Sequence, residues 1–149
     1  MFKPVNTGSN QGFGSDVAVD GSVIVVGAKG ESSCDAAGAN FPPTNAGTFK
    51  TDSSCAAAGA AHVFALSTDN EWVPQAFLKA AQPHTSAQFG NAVTIKGDVV
   101  VVGAKESSCM RHVLNDPSND QLPSSFECPE AGAAYAFRRY SVDGRSMWN

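Results

Sequence analysis

Charge is the scarcest resource in this sequence. Lys, Arg, Asp and Glu together make up 16% of 149 residues, and the acidic groups win by a net charge of −4. Nucleic acid is held mainly by Lys and Arg on phosphate, so this balance argues against a nucleic-acid partner. The one basic cluster, Arg138, Arg139 and Arg145, reads as a solvated strand edge. Leucine is also scarce and no segment carries a helical stripe, which argues against a helical fold. No run of about 18 apolar residues is present, so no span of a membrane is predicted. The first ten residues, MFKPVNTGSN, lack the apolar core of a secretory signal. The chain is therefore expected to be cytosolic, or a mature or excised piece.

Catalytic signatures are missing too. There is no Gly-x-Ser-x-Gly elbow, no phosphate-cradling Gly-x-x-x-x-Gly-Lys and no His-Glu-x-x-His. The three histidines are scattered: His62 reads as a packing or surface residue, His84 as a turn residue and His112 as a loop residue. Glu31 and Glu106 recur at equivalent places, which duplication explains without an acid–base pair. We expect no enzymatic activity; a propeller hydrolase would need convergent carboxylates that the sequence does not display.

What is present is a repeat. Phe13–Lys29, FGSDVAVDGSVIVVGAK, returns as Phe89–Lys105, FGNAVTIKGDVVVVGAK, with an offset of 76 residues and 10 of 17 positions identical. Similarity at a fixed long period signals a repeat architecture. Each copy reads as a hairpin. Val17 and Val19 alternate with Asp16, Ala18 and Asp20, the pattern of a strand with one drier face. Asp20-Gly21, and Lys96-Gly97 in the second copy, are read as the turn. Val23–Val26 and Val99–Val102 are unbroken β-branched runs, as in strands buried on both faces. Apolar content of 42% is enough for a core, and 14 Gly with 8 Pro suit many turns.

Further elements follow the hairpins in order. Gly59–Leu66 is predicted as a third strand and is answered by Gly132–Arg138. Trp72–Ala80 is predicted as a fourth strand, at a sheet edge because Pro74 cannot donate to a ladder. Trp148 answers Trp72, and the second unit is expected to lack a fourth strand of its own. Phe2–Val5 matches the end of the fourth strand, so the chain is expected to open with the last strand of a preceding unit. The organisation predicted is all-β. Residues 1–12 form a leading strand and linker, 13–81 a complete four-stranded unit, and 82–149 a unit that a strand from a neighbour would complete. Four-stranded antiparallel units at this period suggest β-propeller blades.

The residues also resemble a known family. Phe13-Gly14, Gly27-Ala28, Gly59-Ala60-Ala61 and Trp72, then Phe89-Gly90, Gly103-Ala104, Gly132-Ala133-Ala134 and Trp148, follow the pattern of FG-GAP repeats. Such repeats form the blades of the integrin α-subunit propeller. The resemblance implies propeller blades and a role in adhesion or protein interaction. Three features depart from it. Lys29 and Lys105 stand where the family motif has Pro, the hairpin is too short for the calcium loop some of these blades carry, and two blades cannot close a ring of about seven. No cofactor is expected. Asp116 and Asp120, with Asn115 and Asn119, form the one oxygen-rich cluster that calcium would accept, although surface turns have the same composition.

The four cysteines lie in the two long connections, 30–58 and 106–131, each opened by Glu-Ser-Ser-Cys. The repeat favours Cys34–Cys55 and Cys109–Cys128 over the other pairings, and over a zinc site that no Cys-x-x-Cys supports. Disulfides imply an oxidising compartment, so an extracellular or cell-surface location is expected. In a propeller these connections gather on one face. His84, Arg111, His112, Asn115 and Asn119 are then the candidate binding-loop residues. The expected partners are copies of this chain or other blades (three copies would give six blades, four would give eight), and a protein ligand on the loop face. A glycan-binding lectin is the alternative.

Overall fold

A computed structural model of the chain describes residues 1–4, 8–34, 53–105, 131–142 and 145–149. These residues contain eight strands: β1 (Phe13–Asp20), β2 (Val23–Ala28), β3 (Ala60–Leu66), β4 (Trp72–Leu78), β5 (Phe89–Lys96), β6 (Val99–Ala104), β7 (Ala133–Val142) and β8 (Arg145–Trp148). They form two antiparallel four-stranded sheets, β1-β2-β3-β4 and β5-β6-β7-β8. Neighbours in sequence are neighbours in each sheet, the up-and-down order of a propeller blade.

The hairpin turns sit one residue later than the sequence suggested. Asp20 pairs with Val23 and Lys96 with Val99, so the turns are Gly21-Ser22 and Gly97-Asp98. Each glycine takes φ +55°, the left-handed region that glycine enters without steric cost. The shift frees the Asp20 carboxylate, which accepts a hydrogen bond from Gly97 N at 2.6 Å. Pro74 lies on the outermost strand of the first sheet, opposite Phe64 and beside a bulge, where its missing N–H costs no ladder bond.

The second sheet corrects one expectation, because it has a fourth strand of its own. The β7–β8 hairpin pairs Val142 with Arg145 and Arg139 with Trp148. It extends past the point where β3 and β4 end. Trp148 still answers Trp72, since Leu66 pairs with Trp72 as Arg139 does with Trp148. The Arg cluster is not wholly solvated either. Arg139 Nε donates to Asp98 Oδ1 at 2.8 Å, and its guanidinium lies 5.8 Å from the centre of the Trp148 ring.

The core lies between the sheets. One face of the first, with Val25, Ala61, Val63 and Leu78, packs on the face of the second that carries Phe89, Val100, Val102 and Trp148; all eight are 0% exposed. Fully burying one such aliphatic or aromatic side chain contributes roughly 1.5–3 kcal/mol. Polar groups fix the register of the seam. Asp16 Oδ2 accepts from Val93 N at 2.8 Å, Ser15 Oγ donates to Gly90 O at 2.8 Å, and Trp148 Nε1 donates to Gln75 Oε1 at 3.0 Å. Glycines allow the backbones to touch. A Cβ at Gly27 would strike Gly90 O, one at Gly90 would strike Ala60 O, and one at Gly59 would strike Phe89 O.

The drier face of β1 is the opposite of the one the alternation suggested. Val17 and Val19 are exposed, while Asp16, Ala18 and Asp20 are half-buried against the second sheet. Their counterparts Val93 and Ile95 are buried. Apolar patterning shows which face is fit for burial, but a neighbour decides whether it is buried. β2 is buried on both faces as expected, whereas β6 alternates between buried and accessible residues.

Candidate functional site

The β2–β3 connection and the β4–β5 connection meet at one end of the sheets. Ser86 N donates to Ala56 O at 2.8 Å, Gln88 N to Ala57 O at 2.9 Å and Phe89 N to Ala58 O at 3.0 Å. Gly59 and Phe89 also form a parallel bridge. Ala57, Ser86 and Gln88 take positive φ values of 54°, 64° and 53°. For side chains other than glycine, that conformation persists where the surroundings enforce it.

A disulfide clasps the base of the first connection. Cys34 and Cys55 are bonded, with their Cα atoms 5.0 Å apart. Cys55 N donates to Ser32 O at 3.0 Å, and Gly59 N to Glu31 O at 2.8 Å. The two arms of the loop are thus tied by sulfur and by backbone. Cross-linking a loop of about 20 residues stabilises by roughly 3 kcal/mol through the unfolded chain.

Beneath the clasp lies a buried ion pair that the sequence did not announce. Lys79 Nζ meets Glu31 Oε2 at 2.5 Å and donates to Ser33 O at 2.7 Å, and both side chains are almost fully shielded from solvent. Glu31 Oε1 accepts from Ser33 N at 3.1 Å. Duplication accounts for the recurrence of Glu31, but packing adds a mechanical role. Glu31 bolts the disulfide loop to the segment that leads into the next sheet. A signal for this was present, because Lys3 and Lys79 stand at the repeat offset of 76 residues, as Phe13 and Phe89 do.

His62 lies on the face of the first sheet that points away from the second. It is 1% exposed, with the rings of Phe13 and Phe77 at 5.2 and 5.0 Å. Neither ring nitrogen has a hydrogen-bond partner among the described residues. Burial, aided by the nearby Lys79 charge, lowers its pKa to about 3, so the imidazole is neutral at physiological pH. This is a packing role, as expected, and Tyr135 holds the equivalent place against Phe89 at 5.3 Å.

Of the candidate binding residues, the structure places His84 at this loop end, half-buried, with Nδ1 3.1 Å from Thr85 O. Arg111, His112, Asn115 and Asn119, the calcium candidates Asp116 and Asp120, and the pairing Cys109–Cys128 lie outside the described residues. Among the described residues, no three His, Cys, Asp or Glu side chains are grouped so as to hold a metal ion. No helix in the described residues is long and apolar enough to cross a membrane.

Two up-and-down four-stranded sheets packed face to face, with the β2–β3 and β4–β5 connections meeting at one end, define a pair of propeller-type blades. Residues 72–137, from the start of β4 into β7, match the family model for the FG-GAP repeat, so the matched stretch runs in the shifted strand order β4-β5-β6-β7. No curated protein and no solved structure matches the chain. The repeat match and the blade-like sheets support a propeller-type protein-interaction module.

Proposed function

We propose that this chain is a non-enzymatic extracellular or cell-surface module that holds another protein on its disulfide-clasped loop end. Further blades, from other copies or from the remainder of a longer protein, complete its propeller. The observation that carries this reading is the construction of the loop end. Cys34–Cys55, Glu31–Lys79 and the backbone bonds from Ser86, Gln88 and Phe89 anchor the stems of a long connection on a rigid sheet pair. Loops presented by a stiff scaffold are where binding residues concentrate. The disulfide fits an oxidising compartment.

The test compares the labelled protein with a variant whose residues 35–54 are replaced by a short Gly/Ser linker. Binding to intact cells and to immobilised extracellular-matrix proteins is measured, with a glycan array beside them. Saturable protein binding that the linker variant loses supports the reading. Glycan binding lost in the same variant would favour the lectin alternative. Equal binding by both proteins, or none by the intact chain, refutes the loop end as the binding site.

A further inference from the structure

We propose that the outer face of the second sheet docks the outer face of the first sheet of a second copy, head to tail, by repeating the seam inside the chain. The inference deepens the reading above by naming one partner, this chain itself.

The seam has two halves, and each sheet carries on its outer face the counterpart of the half that its neighbour supplies. Val99, Ala134 and Ala136 of the second sheet are the counterparts of Val23, Ala61 and Val63 of the first, as the matching β2–β3 and β6–β7 registers require. Val23 is 3% exposed, and Ala61 and Val63 are 0% exposed, under the second sheet. Val99 is 41% exposed and both alanines are exposed. The reverse holds for the other half. Val93 and Ile95 are buried in the seam at 8% and 7%, while Val17 and Val19 stand 57% and 63% exposed. On the first sheet the open part of that face is its β1 edge, since Val26, His62, Phe64 and Phe77 beside it are already buried. The two outer faces still repeat, position by position, the two surfaces that fit each other inside the chain.

The glycines make the same point independently. Gly27 cannot carry a Cβ because Gly90 O lies against it across the seam. Its counterpart Gly103 has an ordinary negative φ, and the nearest atom to a Cβ there is the Ala92 Cβ at 3.5 Å. Nothing in the described residues requires glycine at 103. Gly14, the counterpart of Gly90, has nothing within 4 Å of such a Cβ. A second copy seated as the internal seam dictates would bring its Gly14 carbonyl onto Gly103. Lys96 replaces Asp20 on the outer seam and would come over the next copy's Gly21, whose neighbour Asp20 is held on the other face by Gly97 N. A heterologous contact of this kind closes into a ring when its rotation permits.

The test is the mass of the intact chain by analytical ultracentrifugation, with Gly103→Val and Val19→Asp alone and mixed. Circular dichroism and thermal melts check that both variants fold, and Val99→Asp replaces Gly103→Val if the latter does not. Wild type is expected at about three or four times the chain mass, giving six or eight blades within the usual propeller range. Each variant alone is expected at one chain mass. Their equimolar mixture is expected at two, because Val19→Asp keeps an intact second-sheet face and Gly103→Val keeps an intact first-sheet face. A wild type that stays at one chain mass, or variants that leave the mass unchanged, would overturn the proposal. So would a mixture that forms no dimer. Loop binding is measured separately, so a monomer that still binds through residues 35–54 removes the self-copy and leaves the interaction role standing.

Discussion

At the scale of single residues, a buried ion pair and a buried histidine govern stability in different ways. The Lys79–Glu31 pair is worth little beyond an apolar substitute, but breaking it strands a charge away from water. Lys79→Met should therefore lower the unfolding free energy by about 3–5 kcal/mol in denaturant titrations. Adding Glu31→Leu to that variant should recover much of the loss, which a simple packing defect would not allow. His62 acts through protons. Its folded pKa, about 3, lies below the ordinary value of 6.5. The unfolded chain thus binds a proton that the folded chain refuses. Stability is fully present above pH 6.5 and falls by roughly 1.4 kcal/mol per pH unit as pH drops from 6.5 toward 3. The difference between wild-type and His62→Phe stability, followed over that range, should show this slope, and the variant should lack it.

At the scale of elements, the seam and the clasp can be probed one at a time. Asp16 accepts from Val17 N and Val93 N, so Asp16→Ala should cost about 1.5–3 kcal/mol, the worth of hydrogen bonds to a charged acceptor. Ala92 occupies the equivalent place in the second sheet, and substituting it by Ser should change little. Selective reduction of Cys34–Cys55 should lower stability by roughly 3 kcal/mol and raise protease sensitivity in the residues it spans. Much of this level was legible in the sequence. The valine runs, the Phe-Gly starts and Pro74 placed the strands and their order, and the common Glu-Ser-Ser-Cys opening placed the disulfide. Features that depend on a partner across space were not legible. Val17 and Val93 are the same residue in the same pattern, yet one is exposed and the other buried. In the sequence Glu31 reads as a product of duplication, because its partner Lys79 stands 48 positions away and meets it only in space. The repeat gives no sign of the fourth strand of the second sheet, because β7 and β8 extend beyond the repeat length.

At the scale of the whole molecule, each chain supplies one finished seam and, on its two outer faces, the counterparts of that seam's halves. The finished seam has the Asp16 and Asp20 carboxylates capping backbone amides of the second sheet. The outer one has Ala92 and Lys96 at those places. Any ring built from copies would therefore alternate firm joints with weaker ones. Dilution would open it only at every second joint and release folded pairs of blades, so assembly and disassembly would proceed without a chain ever having to unfold.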